Sequence, residues 1–270
     1  MQPKHTQEKR KEVTKDIIEI ESEYLKRIVR LDVYTTDESP SQPHTMLLVN
    51  DGQDLATMEF ETMLDTSRKS KDANPLMVVA IYCGDERTQE YGMSVAPDFK
   101  GWGSKAADYE KFIMRELLPF LRKKYKEVVF GQTAYAGFSL GALSAFDIAW
   151  NNPNVFSRIG AFSGSFWYRS IDKDDKSYDP WQHRMMHLQV ANSEIRPGMK
   201  FFFECGELDE TEDRNKNGVI DSIDDTIDLM QLLLQKGYRE NTDFFYLQMP
   251  DGKHDVPSWA KALPKFFAWL

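Results

Sequence analysis

The feature that most constrains this chain is a series of short apolar runs, mostly closed by glycine or another turn residue: TMLLVNDG, LMVVAIYCG, TAYAGFS, SRIGAFSG, KFFFECG and TDFFYLQMPDG. A strand with one wet face alternates apolar and polar residues. Runs that are apolar throughout need cover on both faces, which a parallel sheet flanked by helices provides. Helical patterns lie between these runs. Tyr109, Ile113, Leu117, Leu121 and Tyr125 recur at i, i+4 spacing on one face, with Pro119 placed to kink it. Residues 141–150, 222–237 and 257–270 also read as helices. Upstream, IIEIE and RIVRLDVYTT alternate as half-exposed edge strands do, and residues 37–44 form a Ser-, Pro- and Asp-rich loop. The pattern predicts a single α/β domain over residues 16–270, with a mostly parallel central sheet and helices on both faces. A loose polar segment over residues 1–15 precedes it.

Apolar residues make up 41% of the chain and aromatics 13%, enough for a sizeable core. The net charge of −9 and the lack of a basic face argue against nucleic acid as a partner. The N-terminus, MQPKHTQEKRKEV, has no apolar stretch of the kind a secretory signal needs, and no run of about 18 apolar residues occurs elsewhere. Cys83 and Cys205 do not make a disulfide framework. A cytoplasmic protein with no membrane partner is the expectation.

The stretch TAYAGFSLGALSAFDIAW carries the chemistry. Gly137-Phe138-Ser139-Leu140-Gly141 follows an apolar run and opens an Ala-rich helix, the context a nucleophile elbow requires. A serine on so tight a strand-to-helix turn needs small residues two before and two after it. The helix start also points free amides at the developing oxyanion. Ser139 is therefore the predicted nucleophile. Its base should follow the last strand, and of the five histidines only His254, in MPDGKHDVPSW, has that place. His183 and His187 share a helical spacing, but no third ligand accompanies them, and a packing or solvated role is preferred. The acid should close the strand between serine and histidine. FFFECGELDE offers Glu207, Asp209 and Glu210; Asp209 is preferred and Glu207 is second. For the oxyanion hole, the Leu140 amide needs a second N–H. In LLVNDGQDL, Gly52 would let the chain turn so that the Gln53 amide faces the site.

Taken together, VNDGQDL, IYCGDERTQEYG, YAGFSLGALSAFDIAWNNPNVFSRIGAFSGSFW, CGELDE and GKHDVPSWAKALPKFFAWL resemble the esterase D-like branch of the α/β-hydrolases. The resemblance runs from about residue 47 to the end. It implies an α/β-hydrolase fold and a serine esterase or acyl-transfer mechanism, in a family that includes siderophore trilactone hydrolases, feruloyl esterases, S-formylglutathione hydrolase and mycolyltransferases. Carried across, it puts the nucleophile on Ser139, the base on His254, the acid on Asp209 and the oxyanion donors on Gln53 and Leu140, with no cofactor for catalysis. Many members have His-Gly where this chain has Asp51-Gly52, which leaves branch and substrate open. Arg87 and Glu90 look like members of a paired polar network near the site.

Two further segments stand out. Residues 213–224, DRNKNGVIDSID, match a calcium-loop pattern: Asp213, Asn215 and Asn217 at positions 1, 3 and 5, Gly218 at 6, the Val219 carbonyl at 7, and Asp221 and Asp224 at 9 and 12. The expectation is a structural Ca2+ or Mg2+ that orders the loop carrying Asp209; the alternative is a metal-free turn that caps the following helix. In GSFWYRSIDKDDKSYDPWQHRMMH, Phe166, Trp167, Tyr168 and Trp181 could wall a pocket for an aromatic or bulky acyl group, or pack a lid helix. The expected function is hydrolysis of a small-molecule ester, with siderophore trilactones and feruloyl or cinnamoyl esters as candidates. An acyltransferase on the same triad and a non-catalytic cation-binding module are the alternatives.

Overall fold

The structure, a computed structural model, describes residues 13–36, 42–69 and 74–270. Residues 1–12 and 37–41, which hold most of the expected loose segment and most of the Ser/Pro/Asp-rich loop, lie outside the described residues.

The strands are β1 (Thr14–Ser22), β2 (Arg27–Thr35), β3 (His44–Asn50), β4 (Leu76–Ile81), β5 (Phe130–Phe138), β6 (Arg158–Phe162), β7 (Lys200–Leu208) and β8 (Phe244–Lys253). They form one sheet in the order β1-β2-β4-β3-β5-β6-β7-β8. From β4 to β8 every pair is parallel, whereas β1 and β2 run antiparallel at one edge. The apolar runs of the sequence are thus the parallel strands. β3 and β4 are buried at every position, as strands covered on both faces must be. β1 takes up Thr14 and Lys15, which the sequence pattern left in the loose segment. Lys15 reaches the wholly buried Asp32 carboxylate at 2.8 Å, a tether that polarity alone does not signal.

The helices are α1 (Gly52–Leu55), α2 (Phe60–Ser67), α3 (Arg87–Glu90), α4 (Ala106–Lys111), α5 (Leu118–Lys124), α6 (Leu140–Asn151), α7 (Pro180–His183), α8 (Met185–Asn192), α9 (Asp221–Gln235) and α10 (Val256–Trp269). The helix expected to kink at Pro119 divides as α4, a π-helical turn over Phe112–Leu117, and α5, with Pro119 in the first turn of α5. Proline cannot donate to the ladder, and the wider π turn just before it takes up the irregularity while Tyr109, Ile113, Leu117 and Leu121 stay buried. Two apolar layers sandwich the sheet. Successive phenylalanines of β7 show the strand's two faces: Phe201 and Phe203 join the layer under α6 and α9, and Phe202 joins Phe138, Phe162 and Phe266 under α10. α6 is buried all round from Leu140 to Trp150. Its polar Ser144 and Asp147 are satisfied by the Gly92 and Ser94 amides, so the helix costs little for lying in the core.

Candidate active site

β5 delivers the chain to Ser139, whose φ of 54° and ψ of −123° make a sharp, strained turn into α6. A Cβ on Gly137 would stand 2.4 Å from the Gly141 carbonyl oxygen, and one on Gly141 would stand 2.7 Å from Asp51 Oδ2. Both flanking glycines are therefore demanded by space. The opposing loop makes its turn differently from the expected way. Asp51, not Gly52, takes the left-handed conformation (φ 59°, ψ 44°), and Gly52 is needed because a Cβ there would meet the Ala80 backbone at 2.6 Å. Gln53 and Leu140 occupy the first turns of α1 and α6, where backbone N–H groups have no intrahelical acceptor.

His254 follows β8, and its Nε2 accepts from the Ser139 hydroxyl at 2.8 Å. The imidazole packs edge-on against Trp259 of α10 at 5.3 Å between centroids. Desolvation pulls its pKa below the usual histidine value; Asp209 opposes this and Arg87 adds to it. Asp209 lies just past β7 with both carboxylate oxygens buried. Burial raises its pKa, while the Ser163 hydroxyl and then His254 pull it back. Glu207 is exposed and accepts from Gln248 at 2.8 Å, away from the histidine. Glu210 accepts from the Ser222 amide at 2.6 Å at the start of α9. Of the three acids in this loop, Asp209 is the one whose charge reaches His254, although no hydrogen bond joins the two.

Sequence reasoning missed several residues around this group. Ser163, at the end of β6, has a φ of 45°, and its hydroxyl accepts from Trp259 Nε1 at 2.9 Å. Ser165 Oγ is 3.5 Å from Ser139 Oγ. Only the repeated small residues of GAFSGS hinted at them. Arg87 grips Asp51 with two hydrogen bonds of 2.7 and 2.8 Å and covers the Tyr91 ring. Glu90 pairs separately with Arg27, at 2.7 and 2.6 Å. Behind Asp51, Asn50 donates to the Gly141 carbonyl at 2.7 Å and accepts from Tyr109 and Tyr135. This buried network locks the loop carrying Gln53 to the nucleophile helix.

The expected aromatic wall separates into unlike parts. Phe166 and Tyr168 are wholly buried, Phe166 against Phe146 and Phe203, so both belong to the core. Trp167 is half-buried and meets Trp102 edge to face at 6.0 Å, with Lys100 5.1 Å from the Trp102 ring. Trp181 is 49% exposed and lines a cavity of about 550 Å³ together with Tyr178, Arg214, Asn215 and Asp228. His183 and His187 fall on different helices. His183 accepts the Asp179 amide at 2.9 Å, and buried His187 contacts the Asp225 carbonyl at 2.8 Å.

In the 213–224 loop, Asp213 accepts from the Gly218 amide at 2.9 Å, and Asn215 and Asn217 both donate to Asp224 Oδ2, at 2.8 and 2.9 Å. The Val219 amide donates to Asn217 at 2.7 Å. Asp221 departs from its expected position-9 role, because it accepts from the Arg214 amide at 2.8 Å. The oxygens of Asp213, Asn215, Asn217 and Asp224 accept from groups of the loop itself, and Asp221 does not join them. Among the described residues no three His, Cys, Asp or Glu side chains form a metal-type cluster.

Among the described residues no helix is long and apolar enough to cross a membrane. A protein from Bacillus subtilis named as uncharacterized protein YbbA is 25% identical over 142 residues, 51% of this chain and 55% of that protein. The enterobactin esterase FES from Shigella flexneri superposes with a TM-score of 0.67 at 20% identity, covering 95% of this chain and 58% of that one. A ferulic acid esterase superposes with a TM-score of 0.67 at 19% identity, covering 96% of this chain and 97% of that one. The chain thus spans little more than half the length of the first two. These superpositions make the fold that of an α/β-hydrolase. The family model described as "Putative esterase" matches residues 22–270, and the chain belongs to that esterase family.

Proposed function

We propose that this protein is a serine carboxylic-ester hydrolase that works through Ser139, His254 and Asp209. The observation that carries this reading is the 2.8 Å contact from the Ser139 hydroxyl to His254 Nε2, made by a serine on a strained elbow at the head of a buried helix. His254 takes the Ser139 proton as the oxygen attacks the ester carbonyl. The amides of Gln53 and Leu140 hold the tetrahedral oxyanion, and Asp209 stabilises the imidazolium. The protonated His254 then gives its proton to the leaving alcohol. Water, deprotonated by the same base, resolves the acyl-enzyme.

For the acyl group we propose an aromatic ester of the feruloyl or siderophore type. The resemblance to an enterobactin esterase and a ferulic acid esterase supports this class, and so does the half-buried Trp167–Trp102 pair with Lys100 beside it. Trp167 lies two residues beyond Ser165, which touches the nucleophile. Hydrolysis of p-nitrophenyl acetate, p-nitrophenyl butyrate and a feruloyl ester is the test, in wild type and Ser139→Ala. The expected result is turnover that falls by roughly 10³-fold or more in the variant, with fluorophosphonate labelling of wild type only. A feruloyl ester should be preferred over acetate in kcat/KM. Unlabelled Ser139 with no turnover would overturn the esterase reading, and turnover only with an added alcohol acceptor would point to acyl transfer.

A further inference from the structure

A second carboxyl, unused in the mechanism above, lies behind the triad acid. Glu204 sits in β7 and is 1% exposed, and neither of its carboxyl oxygens has a hydrogen-bond partner. Strand alternation puts it on the same face as Phe202 and Gly206, the face under α10. Asp209 folds back over that face. A Cβ built on Gly206 would stand 2.7 Å from Asp209 Oδ1, so the two carboxyls share one buried corner. Neither oxygen of Asp209 is engaged in a full hydrogen bond either. The corner is closed by Ser163 from β6 and Trp259 from α10, whose hydroxyl and indole are already bonded to each other. The Ser163 amide donates to the Glu204 backbone carbonyl at 2.8 Å, which ties the corner together through main chain only.

The other titratable groups facing this corner are few. His254 and Asp255 come from the loop after β8, whereas Tyr246 of β8 and Cys205 of β7 lie across the sheet, on the face under α9. Burial pushes the Tyr246 and Cys205 pKa values up, so both stay neutral. No lysine or arginine acts on Glu204. Two buried carboxyls with no lysine or arginine beside them repel when both are charged, so one holds its proton at neutral pH. Asp209 has the Ser163 hydroxyl and His254 to favour its charge; Glu204 has only the Ser163 amide, which burial and the Asp209 charge outweigh. Burial, reinforced by the Asp209 charge, raises the Glu204 pKa to about 8.

We infer that Glu204 is a positioning residue for the triad: it carries the proton that lets both carboxyls occupy the corner, and so keeps Asp209 as the charged member beside His254. The inference rests on Asp209 being the triad acid. When Glu204 loses that proton, a second negative charge appears behind Asp209, and repulsion draws the acid away from the imidazole. Glu204 touches no substrate, so the effect belongs to kcat and leaves KM alone.

The test is the pH dependence of kcat and KM for p-nitrophenyl butyrate in wild type, Glu204→Gln and Glu204→Leu. In wild type kcat should fall by roughly 3- to 10-fold between neutral pH and about pH 9.5, with KM constant. Glu204→Gln is neutral at every pH and should match wild type within about twofold at neutral pH, without the alkaline fall. Glu204→Leu, which fills the corner and cannot ionise either, should likewise lack the alkaline fall. If that variant does not fold, the glutamine profile decides. Coincident profiles for wild type and Glu204→Gln, or an alkaline fall retained in a folded Glu204→Leu, would overturn the inference. Fluorophosphonate labelling of Ser139 separates the two levels: wild type that is neither labelled nor active refutes the esterase reading itself, whereas labelled and active wild type with coincident profiles refutes only the role of Glu204.

Discussion

His254 has to be neutral to take the serine proton, and its surroundings favour that form. Desolvation against Trp259 is the largest influence on it, and the nearby Arg87 guanidinium acts in the same direction; Asp209 opposes both. The net shift is downward from the ordinary histidine value near 6.5. A base with a lowered pKa is free of its proton at lower pH, so the acid limb of kcat/KM should fall below about pH 6.5. Replacing Arg87 with methionine removes a positive charge and should move that limb upward. Profiles of kcat/KM for the two proteins check this, and an unmoved limb in Arg87→Met would mean that the guanidinium does not act on the base. The elbow was legible at the residue scale for a steric reason. Only glycine fits where a Cβ would meet the Gly141 carbonyl or Asp51, and such a demand leaves a mark in the sequence. Ser163 and Glu204 leave none. A serine in a turn and one carboxyl inside KFFFECG acquire meaning only when β6, β7, the acid loop and α10 converge.

Elements that bury both faces were read with little loss, and those held by single polar contacts were not. β3 to β8 stand where apolar runs stand, whereas β1 starts earlier than its composition suggests because Lys15 and Asp16 are tied to Asp32 and Tyr125. The 213–224 loop belongs to the second kind. It leads into α9, and Arg214, which it carries, joins Arg184 from the junction of α7 and α8 in gripping the buried Asp225, at 2.5 and 2.6 Å. A bound cation would fix Asp213, Asn215, Asn217 and Asp224 as oxygen ligands and so hold both Arg214 and the strand exit bearing Asp209. With millimolar Ca2+ the Tm should then rise by about 2 to 4 °C over an EDTA-treated sample, and Asp213→Ala should abolish the rise. Equal melting temperatures and equal turnover with and without EDTA would leave the loop as a self-bonded turn that caps α9. The hydrogen bonds from Asn215 and Asn217 to Asp224 already satisfy it in that role.

At the scale of the whole molecule, the sheet that aligns the triad also imposes a cost on it. Nucleophile, base and acid come from the ends of β5, β8 and β7, at the same edge of a parallel sheet, where crossing helices converge on one side. Packing α10 over that edge excludes water from both carboxyls while His254 stays exposed, and Glu204 pays for this in global stability. Its pKa is raised from 4.5 to about 8 in the folded protein. The sign follows from proton counting. Between those two values the folded chain holds a proton that the unfolded chain has released, so stability is complete below about pH 4.5 and declines as pH rises towards 8. The slope from this one group is about 1.4 kcal/mol per pH unit before other groups are added. Glu204→Gln cannot ionise in either state and should remove that slope. Urea unfolding at several pH values across this interval measures it: the gap between variant and wild type should widen steadily in favour of the variant as pH rises. A constant gap would mean that Glu204 ionises in the folded protein as readily as in the unfolded one, and that the corner behind Asp209 admits a second charge without penalty.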